Sequence, residues 1–129
     1  MSSDARSDEG AVDPRPLVDT NEVLLSAQEV FGRKWTPIIL HRLLVEGPLR
    51  FNDLQRAVGD VSGKVLSESL AHLEEVGVVD RRVVSDRPVQ IEYATTERGE
   101  ALAPAVTSLV AWGREHVADA EHEIVGPSR

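Results

Sequence analysis

Cysteine is absent from the 129 residues, so the chain has no disulfide, no thiolate metal ligand and no thiol redox switch. Long apolar runs are absent too: none approaches the ~20 residues of a membrane-spanning helix, and none resembles a signal peptide. The length suits one domain. We therefore expect a single-domain cytoplasmic protein that does not have a membrane as a partner.

Motifs for catalysis and for metal binding are missing as well. The chain has no glycine-rich phosphate loop, no nucleophile elbow and no residue set that would form a catalytic triad. Four histidines lack the spacing of a metal cluster and are better explained as surface or interface residues: His41, His72, His116 and His122. The sequence thus predicts a protein that is not an enzyme and uses no cofactor.

The charge is negative in total but unevenly distributed. The formal net charge of −8 argues at first against nucleic acid as a partner. Residues 1–20 hold five acids and two bases, whereas residues 33–64 hold six bases and three acids. Because a local field matters more to a ligand than the total charge, an anionic partner is expected to bind the middle of the chain.

The N-terminal segment has no apolar period and is rich in Asp, Ser and Pro. We predict a disordered acidic tail over residues 1–18 and a folded domain over residues 19–125. The first helix should begin near Asp19 or Asn21 and end at Phe31. Leu24, Ala27 and Phe31 should form its core-facing apolar stripe, and Val23 and Val30 widen that stripe beyond what one small core needs.

The sequence after the first helix predicts three short helices. The first has Thr36 as its cap and Pro37 at its first position, and Gly47 followed by Pro48 should end it. After the edge strand "LRF", Asn52 should cap the helix "DLQRAV", and Ser62 the helix at 62–76. One helix, a short turn and a second helix at this spacing form a helix-turn-helix.

The remaining pattern predicts a β-hairpin over residues 78–95, turning at "SDRP", and a long final helix capped by Thr96. Pro104 should kink that helix near Glu100. The fold class is therefore mainly α with a small β-hairpin: a winged helix-turn-helix with additional N- and C-terminal helices. The apolar stripe of the last helix is Leu102, Val106, Leu109 and Trp112.

A winged helix suits double-stranded DNA, because its second helix fits the major groove and presents its first turns to base edges. Here those turns are small and polar, with Lys64 able to reach a guanine or a phosphate. Arg87 lies at the hairpin tip, where it could contact the backbone or the minor groove. The other residues expected to bind from this helix are Ser62, Gly63, Ser67 and His72.

A simpler interpretation is also open. A Ser-Gly-Lys start is equally that of a capped helix facing solvent, and the hairpin could be a plain sheet edge. Glu68 lies close to the supposed reading face and repels phosphate. Arg81 and Arg82 are adjacent in a strand, so at most one of them can face DNA.

The segment from "GRKWTPIILHRLL" through "RFNDL", "SGKVL", "EYATTERG" and "AWG" resembles the HxlR-type winged-helix transcription regulators over about residues 31–113. The resemblance implies a homodimer that binds operator DNA, with Arg50 and Asn52 contacting the backbone. Many such regulators sense electrophiles through a cysteine, a mechanism closed to this chain. Where the family has Leu before the capping Thr, this chain has Ala94 and Thr95.

Two functions from different classes remain. The first is a dimeric, sequence-specific DNA-binding regulator, expected to be a repressor; the second is a winged helix that binds a protein and not DNA. A regulator gated by a small apolar ligand is a third, for which the sequence has no pocket signature, so an effector stays unknown. We place the dimer interface on surplus apolar residues of the terminal helices: Val23, Val30, Leu109, Trp112 and Val117.

Overall fold

The computed structural model describes the backbone of residues 14–118 and the side chains of residues 20–117, and the chain divides into two units between Arg33 and Lys34. The predictions for residues 1–13, for His122 and for the domain end at residue 125 lie outside the described residues. The first unit contains helix α1, Pro14–Phe31. It begins five residues before the predicted Asp19, because proline in the first helical turn needs no N–H partner.

The apolar stripe of α1 also differs from the expectation. Leu24, predicted to face a core, is 58% exposed, as are Val23 (57%) and Leu25 (63%). Val30 and Phe31 are half-buried. Leu24 and Leu25 therefore add to the exposed apolar surface of this helix, beyond the predicted Val23 and Val30.

The second unit begins with helix α2, Thr36–Glu46, whose buried side chains are those of Thr36, Ile39, Leu40 and Leu43. The predicted Thr36 cap is wrong: Trp35 occupies the N-cap position and Thr36 is already helical and fully buried. Gly47, with φ of 85°, ends the helix as predicted, since a positive φ favours glycine.

A two-residue strand β1, Leu49–Arg50, leads into helix α3, Phe51–Val58, and the turn after it into helix α4, Gly63–Glu75. The predicted Asn52 cap is wrong, because pairing of β1 holds Arg50 extended (φ −76°, ψ 162°) and Phe51 already begins the helix. The Ser62 cap is confirmed: its Oγ accepts a hydrogen bond from the Val65 amide at 3.1 Å.

Helix α4 buries Leu66, Leu70 and Leu73, none more than 1% exposed. They recur at i, i+4 and i+7, so they lie on one face of the helix. Burial of each is worth about 1.5–3 kcal/mol, which fixes the rotation of α4 about its axis. Residues two positions away from these leucines lie on the opposite side of the helix and must then face solvent.

The sheet has three antiparallel strands in the order β1-β3-β2, with β2 at Val79–Asp86 and β3 at Val89–Thr95. The hairpin is confirmed, but its turn is shorter than "SDRP": Ser85 and Asp86 still pair with Gln90 and Val89, and a bulge lies between Val83 and Ser85. Ala94 is buried in β3, and Val78 and Val79 are buried at the start of the hairpin.

The expected single kinked helix is two helices, α5 at Glu97–Glu100 and α6 at Ala103–Gly113, followed by a π-helical turn at Arg114–Ala118. The Thr96 cap is confirmed, with its Oγ1 accepting from the Gly99 amide at 3.0 Å. Pro104 cannot donate to the Glu100 carbonyl, so it separates the helices instead of bending one. Val106 is buried, whereas Leu109 (54%) and Trp112 (57%) are exposed.

Gly99 joins these terminal helices to the hairpin. A Cβ at this position would overlap the Val78 carbonyl oxygen, so the backbones of α5 and of the residue before β2 approach as closely as only glycine permits. Helices α2, α3 and α4 with the hairpin form the winged helix-turn-helix that the sequence predicts. None of the helices in the described part of the chain is long and apolar enough to cross a membrane.

Candidate nucleic-acid interface

The outward face of α4 is a row of exposed side chains opposite the three buried leucines. It consists of Lys64, Ser67, Glu68, Ala71 and Glu75. The row follows the i, i+3, i+4, i+7 spacing of one helical face. We call it the reading face. Two predicted contact residues, Lys64 and Ser67, are therefore together on an accessible surface.

The reading face changes character along its length. Its first turn carries Lys64 beside the small residues Ser62 and Gly63, whereas Glu68 and Glu75 follow further on. A Cβ placed on Gly63 would have no atom within 4 Å, so the space before this turn is open. An anionic partner would accordingly approach the first turn of α4, where the neighbours of Lys64 are small and uncharged.

His72 lies differently from the other predicted contacts on α4. It is half-buried and already engaged in an interaction within the chain. Ser67 is exposed on the reading face one turn after Lys64. Of these two polar side chains, Ser67 is the more accessible to a partner.

The hairpin tip carries the predicted residue Arg87, which is exposed and followed by Pro88 in a two-residue turn. Its apolar neighbours are exposed too: Val83 by 58%, Val84 by 46% and Val89 by 66%. Asp86 beside Arg87 is exposed as well, so Arg87 is the charged side chain of the tip that could contact the sugar-phosphate edge of a groove. The hairpin is thus a projecting arm, as expected of a wing.

A groove of about 510 Å³ lies between the start of α3 and the hairpin. It brings together two predicted residues, Arg50 and Asn52, with two that sequence reasoning missed, Arg56 and Gln90. Amphipathic spacing could have found Arg56, since it shares the exposed side of α3 with Asn52. No local pattern marks Gln90, which is forty residues from Arg50 and meets it only through strand pairing.

The proposed interface residues on the terminal helices are accessible in part. Val23, Leu109 and Trp112 are more than half exposed, Val117 is 42% exposed and Val30 is half-buried. The Trp112 and His116 rings lie 5.2 Å apart between centroids on one side of the last helix. Within residues 14–118, no group of three or more His, Asp or Glu side chains is arranged to hold a metal ion.

Comparison with known proteins identifies the same architecture. The HxlR-like helix-turn-helix family matches residues 30–121. The HTH-type transcriptional regulator YkvN of Bacillus subtilis is 36% identical over 106 residues, 79% of this chain and 89% of YkvN. YvaP of the same organism, also an HTH-type transcriptional regulator, is 40% identical over 70% of this chain and 83% of YvaP.

Solved structures agree with this assignment. The redox regulator HypR in its reduced form superposes with a TM-score of 0.69 at 31% identity, over 76% of this chain and 96% of HypR. The reduced transcriptional regulator YodB of Bacillus subtilis gives 0.63 at 33% identity, over 73% and 91% of the two chains. The family match, the sequence relatives and the winged-helix fold agree, so the chain belongs to the HxlR-like helix-turn-helix family of transcriptional regulators.

Proposed function

We propose that this regulator is a homodimer that binds specific sites on double-stranded DNA and represses transcription. The N-terminal half of α4 enters the major groove, and the hairpin lies along the backbone beside it. The observation that carries the proposal is the reading face, whose first turn is small, polar and cationic above a helix rotation fixed by three buried leucines.

Specific contacts in this proposal divide into two kinds. Lys64 and Ser67 reach base edges, since they project from the first turns of the inserted helix. Arg50, Asn52 and Arg87 contact phosphates and set the register of the protein on the duplex. Ser62 and Gly63 let the backbone of α4 approach closely.

Dimerisation is supported by the exposed apolar side chains of the terminal helices. Trp112 and Leu109 on α6 are more than half exposed although each is large and apolar, and Val23 on α1 is as exposed. Apolar surface of this kind commonly marks a protein–protein interface. We propose that each helix contributes to a two-fold interface between two copies of the chain.

Repression is the simpler mode of regulation for such a dimer. A bound protein blocks a promoter by occupying it, whereas activation needs a further surface that recruits another protein. A thiol-based response to oxidants is excluded because the chain contains no cysteine.

The rival function, a winged helix that binds a protein, is favoured by the net charge of −8. Salt dependence distinguishes the two. If Arg50 and Arg87 of each protomer neutralise phosphates, the dimer makes about four such contacts, and the logarithm of the binding constant falls linearly with the logarithm of the salt concentration with a slope near −4. Between 50 and 200 mM salt we therefore expect a loss of ~10²-fold in affinity.

Fluorescence anisotropy with a labelled duplex measures this slope. Arg87→Ala should make it shallower by about 1 for each protomer bound. The control is Arg42→Ala, which removes an arginine that pairs with Glu46 at 3.1 Å on α2 and lies outside the proposed interface. Affinity that stays constant across this fourfold range of salt would contradict DNA binding and support the protein-interaction module.

A further inference from the structure

The groove beside the wing contains two arginines whose side chains are held by different partners. It is lined on one side by Arg50, Asn52, Asp53 and Arg56, and on the other by the first residues of β3, which include Gln90. Arg50 Nη2 donates a hydrogen bond to Gln90 Oε1 at 2.5 Å. Arg56 donates from its Nη2 to a carboxylate oxygen of Asp53.

The partner of Arg50 is notable because a carboxylate lies directly across from it. Arg50 pairs in register with Glu92, yet its guanidinium bonds to the uncharged amide two residues nearer the hairpin tip. An amide oxygen fixes the direction of a guanidinium without neutralising its charge. Because the group has five N–H donors in a planar fork, others remain available for an anion.

Arg56 can also bind an anion, although its guanidinium is in an ion pair. Its side chain is 72% exposed and that of Asp53 is 47% exposed, so their ion pair stands in water, where such pairs contribute little to stability. A stronger anion can therefore compete for the guanidinium. With one carboxylate against two arginines, the lining of the groove is cationic by one charge.

We infer that this groove seats the backbone phosphates of one DNA strand, with Arg50 and Arg56 as the contacts and Gln90 as the positioning residue for Arg50. The inference rests on the proposed function, which it extends by two residues, Arg56 and Gln90. The Arg50–Gln90 bond also joins the strand before α3 to the hairpin. A phosphate bound there contacts both the helix-turn-helix and the wing, and it fixes their spacing on the duplex.

The test compares salt slopes and affinities of the wild type with those of three variants on one duplex. Gln90→Ala releases Arg50 but keeps every charge, so affinity falls by about 2–10-fold while the slope is unchanged. Gln90→Glu places a carboxylate against Arg50, so affinity falls further and the slope becomes shallower by about 1 per protomer. Arg56→Gln removes a phosphate contact and flattens the slope by about the same amount.

Arg42→Gln is the matched control, because Arg42 also lies in an exposed helical ion pair, with Glu46, but outside the groove. It should keep both the affinity and the slope of the wild type, and all four variants should unfold at the wild-type temperature. Wild-type slopes in Gln90→Glu and Arg56→Gln would overturn the phosphate seat while leaving DNA binding intact. A wild type without salt-dependent duplex binding would overturn the proposed function and this inference together.

Discussion

Trp112→Glu is expected to convert the dimer to a monomer and to abolish tight binding to a two-fold DNA site. The Trp112 side chain is 57% exposed on α6, and in the proposed dimer it is buried against the partner chain. A carboxylate there would be buried without a partner, at a cost of about 3–5 kcal/mol. Sedimentation velocity at micromolar protein should show the monomer. Fluorescence anisotropy with a labelled duplex should show that the gain in affinity from binding both half-sites at once is lost.

Val83→Glu is the control for this experiment. Val83 is apolar and 58% exposed, which matches Trp112, but it lies on the hairpin and not on a terminal helix. Val83→Glu should remain dimeric, because it introduces the same carboxylate at an equally exposed position that lies outside the proposed interface. If Trp112→Glu also sediments as a dimer and still binds its site, the interface is not on the last helix.

Lys64→Ala is expected to cost ~1–3 kcal/mol of binding free energy to a specific site and to relax the base preference at one position. Lys64 lies exposed on the first turn of α4, one turn before Glu68 on the reading face. Affinities for the specific duplex and for single-base variants of it measure both effects. Lys34→Ala, which removes the other lysine from its position over the Trp35 ring, should change neither.

A different set of affinities would show that Lys64 contacts a phosphate and not a base. If Lys64→Ala weakens binding to every duplex by the same factor, Lys64 contacts a phosphate and another side chain reads the bases. Ser67 is then the candidate, because it is exposed on the same face, whereas His72 is half-buried and engaged. Ser67→Ala would in that case carry the loss of sequence preference.

The parts of the fold that could be predicted are those that local chemistry determines. Ser62 and Thr96 each precede a helix whose third residue offers an amide to the hydroxyl, and both caps are present. Thr36 and Asn52 have the same capping chemistry but are not caps. Burial of Thr36 at the start of α2 and pairing of β1 override the local preference, and neither is visible in sequence.

The last helix shows the same limit. The position of Pro104 indicated a disturbance near Glu100, and one exists, but it separates two helices instead of bending one. The apolar stripe was predicted as one face, whereas Val106 is buried and Leu109 and Trp112 are exposed. Periodicity identifies apolar residues but does not tell which of them the chain itself covers.

One part of the candidate site could be predicted from the sequence and the other could not. Helical spacing from the buried Leu66, Leu70 and Leu73 predicts that Lys64 and Ser67 face outward, and they do. The groove could not be predicted, because the Arg50–Gln90 contact depends on the register of β1 against β3. A shift of one residue would place Gln90 on the opposite side of the sheet.

The central claim, sequence-specific binding of duplex DNA by a two-fold dimer, is tested most directly by selecting bound fragments from a random duplex pool and sequencing them. We expect one near-palindromic motif whose half-sites are one helical turn apart or a multiple of it, ~34–36 Å per turn, since the two α4 helices of a dimer would enter successive major grooves. A bound pool with the base composition and sequence diversity of the input would contradict the claim.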